Sequence, residues 1–301
     1  MKSALFYYYQ LSPLKLIKKK NYYYFFYEDA LYYLCLLDRP IDYINEIILL
    51  DKMLINSNYM NIIYNIKGEA ISLINNRYYM LLRSNNIKFS LLELYRPYYC
   101  YGNMLKLKIL NHSDWGSLWT VKIDYFEYQK SYIKIKYPIL YSSLDYYIGL
   151  SENAISYFYA TNSYLKKDNA DVLVVARRRI NLDDFSFYNP LNLVIDHKAR
   201  DVAEYLKYLF IKDNYSYDLI DEILDNINFS SYQFSLLMAR LLFPSFYFDL
   251  YEDIINGYSK EERIVSILKR SSEYENYIRY IYFFINKKRS ILKIDWLDSF
   301  I

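Results

Sequence analysis

Glycine is scarce in this chain of 301 residues, with 5, and proline, with 6, is barely commoner. Such low use excludes a linker-like or low-complexity chain. It also excludes a glycine-rich phosphate loop near the start, because the first glycine is Gly68. Cys35 and Cys100 are the only cysteines, too few for a disulfide framework or a zinc site, and a reducing interior is expected. The two histidines, His112 and His197, are far apart, and neither has a second metal ligand at a usual spacing. No Ser-His-Asp or Cys-His set can be assembled around them. A net charge of +3 does not suggest nucleic acid. No apolar run reaches the roughly 18 residues of a spanning helix. The opening MKSALFYYYQLSPLK lacks a long apolar core and a small-residue cleavage site, so no secretory leader is expected. These absences point to a cytoplasmic protein with neither membrane nor nucleic acid as partner.

What is present is material for a core. Hydrophobic residues make up 54% and charged residues 24%, and the length suits two lobes or one large domain. The 41 tyrosines accompany heavy use of Asn, Ile and Lys, all residues of A/T-rich codons. A biased genome accounts for them, with rings packing at half-buried positions while the hydroxyls reach water. The same bias imitates the basic–aromatic interleaving of RNA binders, which is therefore discounted.

Phe6–Leu11, Leu14–Lys18, Tyr22–Tyr27 and Leu31–Leu37 are short aromatic or aliphatic runs that predict strands. A helix is predicted from Pro40, with Ile44, Ile47, Ile48 and Leu50 at helical spacing and Asp42 and Glu46 near its start. Strand-like runs return at Tyr59–Asn65, Ala70–Ile74 and Arg77–Leu82. Tyr98–Asn103, which contains Gly102, is the expected crossing point between lobes. Beyond Asn111 the periodicity is helical: Trp115–Lys134, Tyr141–Tyr159, then Asp201–Phe210, Leu219–Ile227, Ser231–Leu242, Phe246–Asn256, Glu261–Ser272 and Tyr274–Ile285. The predicted fold class is α+β, with residues 1–98 a small, mainly antiparallel β lobe with one helix and residues 99–301 a larger, mostly helical lobe.

The most informative stretch is DVLVVARRRINLDDFSFYNPLNLVIDHKARDVAEYLK, from Asp171 to Lys207. It reads as an apolar strand, a polar loop, a second strand ending in Asp196, and an amphipathic helix. Leu173, Val174, Val175, Leu193, Val194 and Ile195 are predicted to belong to the core of the large lobe. Two strands around a polar loop, closed by an aspartate, are how kinase-like folds build a phosphoryl-transfer site. Such a site needs a metal to neutralise phosphates, a lysine to hold them and a carboxylate to orient the attacking hydroxyl.

Four segments carry a family resemblance: Ile44–Arg83, His112–Gln129, Tyr188–Phe210 and Ala239–Ile255. In this order they resemble the spore-coat kinase-like family (CotS and YutH type) of the aminoglycoside phosphotransferase and choline kinase superfamily. The resemblance implies a protein-kinase-like two-lobed fold. It aligns Arg177 and Arg179 with the histidine and aspartate of a His-x-Asp-x-x-x-x-Asn catalytic loop. Arginine cannot accept the proton, so Asp183 or Asp184 would substitute only in a remodelled loop. It implies Asp196 as the metal aspartate, for which a turn-capping role or a pair with Arg200 is the alternative. Asn189 is the nearest candidate for the metal-binding asparagine, Cys35 falls where the phosphate-gripping lysine belongs, and Glu46 is that lysine's former partner or a solvated glutamate. Asp201 is expected to cap the following helix, and Lys18–Lys20 to form a hairpin tip. The arginine triplet either binds phosphate or a partner's carboxylates, or pairs internally with Asp183, Asp184 or Asp196.

The expected function is therefore a kinase-like protein with a degenerate site, a non-catalytic scaffold or binding protein of the spore coat with a coat or other protein partner. An active ATP-dependent small-molecule phosphotransferase with a rearranged site is the alternative, and an unrelated helical interaction protein is the third reading. The expected cofactor is none, or a weakly held Mg–ATP, and the expected location is the cytoplasm or the spore coat.

Overall fold

The computed structural model describes residues 1–54, 57–85 and 87–298. The chain begins with α1 (Lys2–Tyr9), β1 (Ile17–Lys18), β2 (Tyr22–Tyr27), β3 (Ala30–Leu36) and α2 (Ile41–Met53). There follow β4 (Asn61–Ile63), β5 (Ser72–Ile74), β6 (Arg77–Arg83), α3 (Leu92–Tyr95) and β7 (Tyr98–Tyr99). Two long helices, α4 (Trp115–Ile133) and α5 (Pro138–Tyr164), precede β8 (Val174–Arg177) and β9 (Leu193–Asp196). The remainder is helical: α6 (Ala199–Ile211), α7 (Tyr217–Asn226), α8 (Ser231–Leu242), α9 (Ser245–Ile255), α10 (Ile264–Leu268), α11 (Ser271–Lys288) and α12 (Asp295–Asp298).

These elements sort into two compact units. The sheet unit comprises residues 1–90, 100–111 and 177–195; the helical unit comprises residues 91–99, 112–176 and 196–301. In the sheet unit the strands lie in the order β1-β2-β3-β6-β4, with β5 also paired to β6, and the pairings are antiparallel. Alternation along a strand sends successive side chains to opposite faces. Leu34, Tyr79 and Leu81 therefore share one face with Phe25 and Ile74, and Leu5 and Tyr9 of α1 complete that core.

The N-terminal helix is a departure from the predicted strand Phe6–Leu11. Aromatic runs favour strands only weakly, and packing overrides the preference. Leu5 and Tyr9, one turn apart, are both buried. The Tyr9 hydroxyl meets Ser72 Oγ at 3.0 Å, and Asn65 Nδ2 donates to the same oxygen at 3.1 Å. Asn65 Oδ1 in turn accepts the amides of Lys67 and Glu69, closing a turn whose Gly68 adopts φ +74°. The β lobe thus carries α1 as well as the predicted α2. The run Leu14–Lys18 shortens to a two-residue strand, and Lys18–Lys20 lies at the β1–β2 hairpin tip as expected.

In the helical unit β7 pairs antiparallel with β8, matching Tyr98 with Val175 and Tyr99 with Val174. Val174 and Val175 are buried, whereas Leu173 is only half-buried and precedes the strand. Leu193, Val194 and Ile195 are all buried, but they belong to the sheet unit and not to the core of the helical one. The predicted helix Glu261–Ser272 is interrupted: a short 3-10 turn, Glu261–Arg263, leads into α10, and α11 starts afresh at Ser271. Asp201 does not cap α6. The helix begins two residues earlier, so Asp201 lies buried in its first turn, where a carboxylate complements the helix dipole.

Two outcomes follow for stability. Leu5 is wholly buried and Leu14 almost fully exposed, so Leu5→Ala should cost roughly 2–4 kcal/mol in denaturant unfolding, while Leu14→Ala should change little. Asp51, in the last turn of α2, has its pKa pushed up to about 6 by burial, and the helix C-terminus is unfavourable to its charge. A folded-state value above the unfolded one means the charged carboxylate destabilises the fold above about pH 6. Asp51→Asn should therefore stabilise at pH 8, by on the order of 1 kcal/mol after solvent screening. The gain should fade as pH drops from about 6 toward the unfolded value near 4. Urea melts at pH 8 and pH 4.5 check both the sign and the fading.

Candidate functional site

Asp196 closes β9 and is fully buried. A carboxylate out of water must have its lone pairs met and its charge compensated. Trp115 Nε1, on the first residue of α4, donates to its two oxygens at 2.9 and 3.0 Å. The backbone N–H of His197 donates to Oδ1 at 2.6 Å. Arg200, one helical turn ahead on α6, forms a buried ion pair with Oδ2. The pair with Arg200 that the sequence offers as an alternative to metal binding is present.

His197 is buried beside this pair, its ring edge-on to Trp115 at 5.3 Å. Nε2 lies 3.1 Å from the Ser113 carbonyl and so carries the proton, while Nδ1 has no hydrogen-bond partner among the described residues. Burial holds its pKa below the ordinary histidine value, against the opposing pull of Asp196. The indole face of Trp115 also receives the Arg240 guanidinium, 5.0 Å from the ring centre. Arg240 Nε donates to Glu204 Oε1 at 2.9 Å, and Lys207 Nζ lies 3.7 Å from the same oxygen. Lys207 also donates to the Phe243 carbonyl at 2.9 Å. A chain of buried charge therefore runs from Asp196 through Trp115 and Arg240 to Lys207.

Magnesium needs near-octahedral oxygen ligation and usually keeps several waters. The Asp196 oxygens are already occupied by an indole N–H, an amide and a guanidinium, and a metal would have to displace the cation. No group of three or more His, Cys, Asp or Glu suited to a metal occurs among the described residues. This arrangement does not fit the metal ion that the kinase-like resemblance implies.

The other predicted site residues belong to the sheet unit. Cys35 is buried on β3, in register with Tyr22 of β2 and Met80 of β6, and burial pushes its thiol pKa far up. It is a small apolar filler there, without charge to hold a phosphate. Glu46, on α2, accepts the backbone amides of Ile109 and Leu110 through one oxygen, both at 3.0 Å. It fastens the helix to the 100–111 segment.

The loop between the arginines and β9 is held by its own groups. Arg177 is buried; its Nε donates to the Phe187 carbonyl at 3.0 Å and its guanidinium lies 3.7 Å from the Phe187 ring centre. Arg179 Nη1 donates to the Arg178 carbonyl at 2.9 Å. Asp184 accepts the Ser186 amide at 2.7 Å and the Asn181 side chain at 3.0 Å, capping a 3-10 turn over Phe185–Tyr188. Asn189 Oδ1 accepts the Leu191 amide at 2.9 Å and caps the next such turn, Pro190–Asn192. Asn192, which the sequence did not single out, clamps the loop. It donates to the carbonyls of Arg179 and Ser186 at 2.7 and 3.0 Å and accepts the Arg179 amide at 3.3 Å.

Phe185 was likewise unpredicted. Its ring stacks on Tyr33 at 4.1 Å and meets Tyr22 edge-on at 4.7 Å. Burial, then Tyr22, Cys35 and Asp184, push the Tyr33 pKa up to about 12. Beside these rings lies a cavity of about 490 Å³ bordered by Tyr33, Ser84, Lys88, Phe185 and Tyr188, with the exposed Asp183 and Asp184 also lining it. The signal that could have flagged Trp115 was chemical: one of only 3 tryptophans, its N–H requires an acceptor when buried.

Comparison with known proteins places this geometry. A spectinomycin phosphotransferase solved with ADP and spectinomycin superposes with a TM-score of 0.53 at 12% identity, covering 93% of this chain and 92% of that one. An aminoglycoside phosphotransferase from Alicyclobacillus acidocaldarius gives a TM-score of 0.51 at 10% identity, covering 91% and 92%. Identities this low establish the fold alone, which is kinase-like, with an antiparallel-sheet lobe and a larger helical lobe. The endospore coat-associated protein YutH of Bacillus subtilis (strain 168) is 29% identical over 212 residues, or 62% of this chain. The matched stretch spans 62% of that relative's length. Among the described residues no helix is long and apolar enough to cross a membrane. The family described as spore coat putative kinase YutH matches residues 2–281, nearly the whole chain, and the protein belongs to that family.

Proposed function

We propose that this protein is a kinase-fold component of the spore coat that does not transfer phosphate and acts there as a scaffold or binding protein. The observation that carries the reading is the state of Asp196. Its carboxylate is buried and engaged by Trp115, His197 and Arg200, so it serves the core of the helical unit. The other replacements support the same reading. Cys35 brings no positive charge to β3, Glu46 is spent on backbone amides, and Arg179 cannot act as a base. Losing a positioned base alone removes about 10²–10⁴ in rate. The coat assignment rests on family membership and on the Bacillus subtilis relative, which is coat-associated.

A second reading is nucleotide binding without transfer. The cavity beside Tyr33 and Phe185 has aromatic walls and about 490 Å³ of space, within the range of small-molecule sites. Both readings predict no phosphate transfer, and they differ in affinity.

Thermal unfolding with ATP or ADP, each with and without Mg²⁺, separates them, because a ligand at 100 times its Kd stabilises by about 2.7 kcal/mol. The scaffold reading expects no Mg²⁺-dependent shift and no ATP consumption above background. ATP consumption above background by the wild-type protein, kept in Cys35→Ala, would overturn the scaffold reading in favour of an active, rearranged site. A structural Asp196 has a further signature. Asp196→Asn removes the carboxylate charge that the buried Arg200 pairs with and should cost roughly 3–5 kcal/mol of stability. A metal-binding Asp196 relieved of its charge would instead leave stability unchanged or raised.

A further inference from the structure

Helix α4 is apolar on two sides. Trp115, Trp119, Ile123, Phe126 and Ile133 are buried in the helical unit. On the outer side Leu118, Val121, Tyr125, Tyr128 and Tyr132 are exposed by 46, 70, 48, 69 and 68%, and Ile135 in the turn beyond by 95%. Their spacing is 3, 4, 3, 4, 3 residues, the seam of a two-helix coiled coil. An ordinary surface helix has one apolar stripe and a polar outer face; this one carries a second stripe about 26 Å long.

A fully exposed aromatic side chain presents on the order of 150–250 Å² and the aliphatic ones less, so the exposed fractions sum to roughly 600–800 Å². That is at or above the largest apolar patch of a typical monomer, about 300–600 Å², and approaches the roughly 800 Å² that one side of a standard stable interface buries.

We propose that this stripe is a self-association surface, on which α4 of a second copy packs antiparallel about a two-fold axis near residues 126 and 127. The spacing reads the same from either end, so an antiparallel two-fold contact keeps the whole seam in register. Antiparallel pairing sets Leu118 against Ile135, Val121 against Tyr132, and Tyr125 against Tyr128 of the other copy, so the small Val121 is matched by a large ring. Parallel pairing would set Val121 on Val121, a thin layer between bulkier ones. The flanking positions agree. Lys122, Gln129 and Lys136 line one side of the seam, and Ser117, Asp124 and Ser131 the other. The antiparallel arrangement brings Lys122 beside Gln129 and Asp124 beside Ser131, with no like charges opposed.

Sedimentation equilibrium of the full chain under reducing conditions tests this. The expected species is a dimer of the 36.7 kDa chain. Val121→Glu and Tyr132→Lys should each raise its Kd by about 100-fold or more. The two together should restore it to within about 10-fold, because only an antiparallel pair brings position 121 of one copy to position 132 of the other. Tyr164→Lys, at a 77% exposed position off the stripe, should leave it unchanged. A wild-type protein that stays monomeric at about 100 μM overturns the proposal and assigns the stripe to a different partner. Dimers unaffected by Val121→Glu overturn it too, and a double variant that stays monomeric rules out the antiparallel register.

Discussion

A carboxylate buried without solvent must be neutralised where it stands, and the helical unit is organised around meeting that demand for Asp196. Its neighbours come from separate parts of the sequence: Trp115 from the start of α4 and Arg200 from the first turn of α6. Trp115 then shares its ring face with Arg240 of α8, and Arg240 holds Glu204 back on α6. Helices α4, α6 and α8 are thus joined by directional contacts, where apolar packing alone would leave their register less defined. Such a network is costly to break because each group removed leaves another unpaired.

The positions that the phosphotransferase resemblance singles out are engaged within the fold. The Asp196 carboxylate receives an indole N–H, a backbone amide and the Arg200 guanidinium. Cys35 and Glu46 follow the pattern, the one filling apolar space between Tyr22 and Met80, the other satisfying two amides of the 100–111 segment. The loop with Arg177 and Arg179 is closed by carbonyls, short capped turns and the Asn192 clamp. Architecture depends on layers and apolar patterning, while activity depends on a few well-placed groups. Likeness to phosphotransferases at 10–12% identity is the expected result.

Much of the architecture was legible in the chain. Strong periodicity marked α2, α4, α5, α8 and the β2–β3 hairpin, because long amphipathic helices and alternating strands record which face is buried. The first helix was not legible. The run of tyrosines after Phe6 has strand-like propensity, and only the sheet face that receives Leu5 and Tyr9 settles the matter. The split between α10 and α11 was hidden for a similar reason, since apolar residues continue at helical spacing across a break made by local turns.

For the site, residue identity alone determined that no lysine could act from β3, that no glycine-rich loop could form early in the chain, and that arginine could not serve as a base at position 179. Those follow from side-chain chemistry and need no coordinates. The surroundings of Asp196 were decided by tertiary structure. Arg200 was visible one turn away, but Trp115 lies 81 residues distant. Burial and the arrival of a remote indole are properties of the packed chain, which no local pattern records.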